Sequence, residues 1–318
     1  MKKINKLLLA GLLFALATSS FAASKKSIVC TTFPQYDWIA NILGNKAGSF
    51  ELTLLLNNGT DLHSYQPSIK DIAKISTCDL FIYVGGESDE WVENVLASAK
   101  NKNMLVVNMM EALGENVYEE ELIEGMQGEE EEDEDGEEGP EYDEHIWLSL
   151  RNAALLTQTL SQNIQKLDSK NVGEYKKNTE AFISKLNALD AQYSKAVAGA
   201  KYNTLLYADR FPFRYLTEDY GIKYYAAFIG CSAESEASFE TIKFLSDKLK
   251  QLELPAVLTL EKSDKKIAKT VIEASGKKNV KILEMDSIQS VTQKEIKAGK
   301  NYLNTMEKNL ETLKAALN

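Results

Sequence analysis

A chain of 318 residues, 44% hydrophobic and 26% charged, has the composition of a folded protein and is too long for one ordinary core, so two domains are expected. The net charge of −11 is local: 16 acidic and no basic residues stand between Glu119 and Glu144, which leaves +5 elsewhere, including Lys2, Lys3 and Lys6. No basic patch remains on which nucleic-acid binding could stand.

The chain starts basic, runs apolar from Leu7 to Ala17 and turns small at Ser20-Phe21-Ala22. This is the order of a secretory signal with a cut near Ala22 or Ala23. The apolar run is shorter than the roughly 20 residues of a spanning helix. No cysteine stands at the cut to carry a lipid. Residues 1–23 are set aside, and the mature product is expected to be soluble, periplasmic and without a lipid anchor. Cys30, Cys78 and Cys231 allow at most one internal disulfide, and Cys30 and Cys78 sit where buried free thiols are expected. With no C-x-x-C pair, a thiolate metal site is disfavoured.

Beyond the signal, 27–32 is a β-rich run, and Pro34 opens a helical stretch through Trp38, Ile39, Ile42 and Leu43. A second strand, 50–56, closes at the turn Asn57-Asn58-Gly59, and His63 follows in the loop. Helices at 68–76 and 91–97 flank a strand at 80–84, and 105–108 is another strand. The acidic tract interrupts this order, and His145 stands just past it at the start of an apolar element. Helical periodicity resumes over 152–167. A longer helix, 172–198, would reach about 40 Å, enough to run along two domains. The alternation then repeats: strands at 205–208, 224–229, 256–260 and 280–285, helices at 213–219, 240–251 and 266–274, and one last helix over 292–317.

Strands alternating with helices imply parallel βαβ units, whose ligands bind at the carboxyl ends of the strands. The expected fold is therefore α/β, with two similar parallel-sheet lobes joined by one long helix. Its bounds are 24–167 (with an acidic loop at 119–141), 168–199 for the linking helix, and 200–318.

His63 and His145 are the only histidines, and both fall at loop positions of this plan. Neutral imidazole suits first-row metals, and carboxylates complete such a shell. Asp209 and Glu261 end strands of the second half and are the carboxylate candidates. The plainer readings are a helix cap or a salt bridge to Arg210 for Asp209, and a solvated strand end for Glu261. The acidic run is a solvated block that could also concentrate cations near the cleft. No G-x-S-x-G, G-x-G-x-x-G or H-E-x-x-H is present.

Gly59-Thr60-Asp61-Leu62-His63-Ser64-Tyr65-Gln66-Pro67, Asp143-Glu144-His145-Ile146-Trp147-Leu148-Ser149 and Glu234-Ser235-Glu236-Ala237-Ser238 together resemble three segments of the exported solute-binding proteins of zinc and manganese ABC transporters. Thr32-Phe33-Pro34-Gln35-Tyr36 resembles that family's first strand exit. Leu62 and Ala237 stand where the family carries proline, and the acidic run replaces a histidine-rich loop. The resemblance implies two lobes joined by a rigid helix, with the ion held between them and His63 and His145 as ligands. It places Arg210, which cannot ligate a cation, at the third ligand position. Adjacent Asp209 is then the substitute, and Glu261 the fourth ligand after a one-residue shift. The implied function is capture of one divalent ion, zinc first and manganese next, by a monomer that delivers it to a membrane permease without bond-making chemistry. The alternatives are a metal-dependent hydrolase and an adhesin on the same fold.

Overall fold

The computed structural model describes residues 25–128, 141–232 and 236–318. The signal segment, the acidic tract at 129–140 and the Glu234-Ser235 pair lie outside the described residues.

The first lobe runs β1 (Lys26–Cys30), α1 (Phe33–Leu43), β2 (Phe50–Leu54), α2 (Ile69–Thr77), β3 (Leu80–Tyr83), α3 (Trp91–Ala97), β4 (Leu105–Asn108) and α4 (Met109–Leu113). Local chemistry sets these limits. Thr32 and Gln35 form a capping box at α1, with Pro34 in its first turn, where the missing N–H costs nothing. Ser68 and Asp71 do the same for α2. Helices α5 (Leu150–Leu167) and α6 (Val172–Ala198) follow.

The second lobe comprises β5 (Thr204–Arg210), α7 (Arg214–Tyr220), β6 (Lys223–Phe228), α8 (Phe239–Gln251), β7 (Ala256–Leu260), α9 (Lys266–Ser275), β8 (Lys281–Met285), α10 (Gln293–Lys297) and α11 (Tyr302–Ala316). The expected single helix over 292–317 is two. Gly299 takes φ +96°, and extended Asn301 caps a new helix with a capping box to Asn304, so the helical path breaks at 298–301.

Each lobe holds one four-stranded, all-parallel sheet, ordered β2-β1-β3-β4 in the first and β6-β5-β7-β8 in the second. Counted within each lobe, the two orders are the same. Every residue of β7 is buried, as expected of a strand covered on both faces.

Helix α6 ties the lobes. Near its start, Asn178 Nδ2 donates to the Ile42 carbonyl at 3.0 Å, and Tyr175 packs against Phe50. Near its end, the buried Tyr193 hydroxyl donates to the Met306 carbonyl at 2.7 Å and its ring stacks on Tyr220. Trp147, fully buried, wedges between the lobes: its Nε1 donates to the Ser287 carbonyl at 2.8 Å, and its own carbonyl accepts from Tyr302 Oη at 2.5 Å. One apolar cluster runs unbroken through both lobes, which favours a fixed cleft over a freely swinging hinge.

Candidate metal centre

Loops at the carboxyl ends of both sheets meet in the cleft. After β2, Asp61 caps a short 3-10 turn by accepting from the His63 backbone N–H at 3.2 Å, which sets the His63 ring at the cleft wall. After β3, the Gly85-Gly86 turn brings the chain against Glu144. Gly86 has φ +79°, and a Cβ there would lie 2.4 Å from Glu144 Oε1, so only glycine fits. That oxygen accepts from the Ser88 N–H at 2.8 Å.

The two imidazoles face each other, His63 Nε2 lying 3.2 Å from His145 Nε2. His145 is fully buried, and Asp143 Oδ1 accepts from both its backbone N–H (2.8 Å) and its Nδ1 (3.0 Å). A carboxylate only accepts, so it holds the proton on Nδ1 and leaves Nε2 as the donor atom for a metal. His63 Nδ1 lies 2.9 Å from Ser88 Oγ and 3.4 Å from Glu144 Oε2, which likewise frees its Nε2. Two nitrogens bound at about 2.0–2.1 Å to one tetrahedral zinc stand about 3.3–3.4 Å apart, so the pair is already at ligand spacing. Gln289 Nε2 lies 2.8 Å from the same His145 Nε2.

Burial, the adjoining His145 and Arg210 push the His63 pKa down to about 3 against the opposing pull of Asp61, so this ring is neutral and ready to ligate. Burial alone would depress His145, but Asp143, with Glu120 and Glu144, outweighs it and raises the ring above its ordinary value. Burial pushes Glu144 up to about 7 despite its hydrogen bonds from Ser88.

Asp209 and Glu261 stand apart from this pair. Asp209 Oδ2 accepts from the Leu260 N–H at 3.2 Å and Oδ1 from the Arg210 N–H at 3.0 Å. Glu261 accepts from the Ser287 N–H at 2.7 Å and the Ser287 hydroxyl at 2.6 Å. Both line a separate cavity of about 190 Å³ together with Asp61 and Arg210. Neither belongs to the group of metal-capable donors that includes the histidines. The Arg210 guanidinium turns away from its neighbour Asp209: Nη2 crosses the cleft to Asp61 Oδ2 at 2.7 Å, and Nη1 donates to the Ser232 carbonyl at 3.2 Å.

Sequence reasoning passed over two further contributors. The chain at 119–128 leaves the first lobe and lies along the second. Gln127 bonds backbone to backbone with Ala227 and Ile229 beside the end of β6, and Glu120 Oε1 accepts from the Cys231 N–H at 3.2 Å. Cys231 itself comes to the imidazole pair. A cavity of about 430 Å³ opens there, lined by His63, Ser88, Glu120, Glu144 and Cys231 among others. The only sequence signal was the position of Cys231 just after a strand, at a carboxyl end. All three cysteines are free.

Twin parallel-sheet lobes with paired imidazoles between their loop ends define the two-lobe class of solute-binding proteins. The chain belongs to the ZnuA family, the periplasmic component A of zinc-uptake complexes, whose model matches residues 28–316. It is 33% identical over 322 aligned positions to the zinc-binding lipoprotein AdcA of Streptococcus pneumoniae, covering 99% of this chain and 61% of that protein. It is 29% identical to the high-affinity zinc uptake system protein ZnuA of Bacillus subtilis, covering 92% and 88%. The Zn(II)-bound ZnuA-like domain of S. pneumoniae AdcA superposes with a TM-score of 0.71 at 28% identity, covering 92% of this chain and 99% of that domain. The chain spans 57–61% of the length of the streptococcal relatives it matches. The family model and these relatives are named for zinc uptake and zinc binding, and none of them for hydrolysis.

Proposed function

We propose that this protein captures a zinc ion in the cleft and hands it to the permease of an ABC-type importer, acting outside the cytoplasmic membrane as a monomer. The observation that carries the reading is the imidazole pair at 3.2 Å, each ring's Nδ1 held by a partner so that both Nε2 atoms face one point. Nitrogen donors of this kind suit zinc better than manganese, which favours oxygen. Family membership and the zinc-binding names of the relatives support the same cargo. Asp209 and Glu261, engaged by backbone N–H groups and Ser287, are assigned to shaping the second lobe's rim. Release follows from the same chemistry, because both rings must be neutral to ligate and protons compete with the ion.

The test is calorimetric titration of chelator-stripped protein with zinc and manganese, with His63→Ala and His145→Ala as comparisons. Wild type is expected to bind one zinc tightly and each variant to lose that binding. Tight binding retained by both variants would overturn the assignment.

A further inference from the structure

We propose that Cys231 is the third protein ligand of the cleft metal, its thiolate closing from the second lobe onto an ion gripped by His63 and His145. The inference deepens the zinc-capture reading and rests on it. Among the described residues, His63, His145 and Cys231 form the one group of metal-capable side chains whose donor atoms all lie within 4.8 Å of one another. In a closed tetrahedral site, nitrogen at about 2.0–2.1 Å and sulfur at about 2.3 Å from zinc stand about 3.5–3.6 Å apart. A shift of at most roughly 1.3 Å therefore brings the three donors to ligand spacing. The other two thiols, Cys30 and Cys78, are fully buried and stand outside the group.

Three contacts hold the cysteine loop at the ring. Gly230 lets the backbone approach: a Cβ there would lie 3.0 Å from the Phe211 carbonyl oxygen, 3.2 Å from His145 Cε1 and 3.3 Å from Glu120 Oε1. Glu120 receives the Cys231 N–H. Arg210 donates to the Ser232 carbonyl with one arm while gripping Asp61 with the other, which makes it a positioning residue rather than a ligand.

A separate observation points to a cation at the same place. Glu144 is 2% exposed and lines the cavity beside His63 and Cys231, yet its Oε2 makes no hydrogen bond, His63 Nδ1 standing 3.4 Å away. Carboxylate oxygens shut away from water without partners are costly unless positive charge arrives. As the metal enters, the zinc–sulfur bond forms, the S–H bond breaks and the proton leaves to water. A thiolate beside two imidazoles selects zinc over manganese, because the soft ligand discriminates against the harder ion.

The experiment uses the chelator-stripped full chain with Co²⁺ as a spectroscopic probe and Zn²⁺ in a chelator-competition titration. Wild type is expected to show a sulfur-to-cobalt charge-transfer band in the near ultraviolet, and Cys231→Ser to lose it. Zinc affinity in Cys231→Ser is expected to fall at least about 10–100-fold, the range already seen for outer-shell losses. Zinc should also protect one thiol, Cys231, from alkylation of the native wild-type protein, which keeps the test valid if the variant folds poorly. Tight zinc binding with no charge-transfer band, no thiol protection and an unchanged Cys231→Ser variant would overturn the thiolate while leaving zinc capture intact. A wild-type protein that binds no zinc would overturn the capture reading itself, and the thiolate with it.

Discussion

Asp143→Asn isolates the orientation of His145 from its presence. In the native site one carboxylate oxygen takes both the His145 backbone N–H at 2.8 Å and its Nδ1 at 3.0 Å. The substitution keeps the size of the side chain but removes its charge, and its amide can turn a donor toward the ring. A hydrogen bond to a charged partner contributes about 1.5–3 kcal/mol and a neutral one about 1, so the loss is about 0.5–2 kcal/mol, or roughly 2–30-fold. Metal sites that lose such a partner weaken by about 10–100-fold, so a fall of about tenfold or more in zinc affinity is expected at pH 7.5. The deficit should shrink at lower pH. Asp143 raises the His145 pKa, so the wild-type ring must shed a proton to bind zinc sooner as pH falls, and the variant competes with fewer protons. The Tyr215 hydroxyl bonds to the backbone carbonyl of residue 143, at 2.7 Å, so that contact survives the change. The assay is zinc competition with a chromophoric chelator at pH 7.5 and 6, with the melting temperature of the metal-free variant as the control for folding. Zinc affinity within twofold of wild type at pH 7.5 in a folded variant would refute the reasoning.

Asp37→Asn tests a half-buried carboxylate at the junction of the lobes. Asp37 accepts from the Tyr302 N–H, and burial, opposed by that bond, pushes it from 3.8 up to about 6. A raised acid binds its proton more tightly folded than unfolded, so its contribution is full below about pH 4 and lost as pH rises through about 6. Two pKa units correspond to at most about 3 kcal/mol. Urea unfolding should therefore find the variant more stable than wild type at pH 7.5 and not at pH 4, and an equal difference at both pH values would contradict this account. Trp147→Ala removes a fully buried indole and its bond to Ser287, and a loss of about 3–5 kcal/mol is expected from urea unfolding. A loss below 1 kcal/mol would show that the indole does not wedge the lobes.

The sequence alone determined the α/β alternation, the long helix and the residues that start most elements, because each is written in local periodicity and capping chemistry. The long helix expected at 172–198 is observed as Val172–Ala198. It also singled out His63 and His145, since a chain with two histidines in segments of recognisable pattern leaves few other candidates. The last helix was read too long because apolar spacing continues across 292–317, whereas Gly299 and the Asn301 cap break it. Only the tertiary structure decided which distant groups meet the imidazoles. Asp209 and Glu261 end strands as expected, but their carboxylates take nearby backbone N–H groups and Ser287. Arg210 reaches Asp61 in the other lobe instead of its neighbour, and the segment at 119–128 crosses to the second lobe and places Glu120 at Cys231. Such pairings depend on how two sheets and their loops pack against each other. A pattern confined to neighbouring residues encodes the strand and the loop, but not the partner that packing brings to the loop's tip.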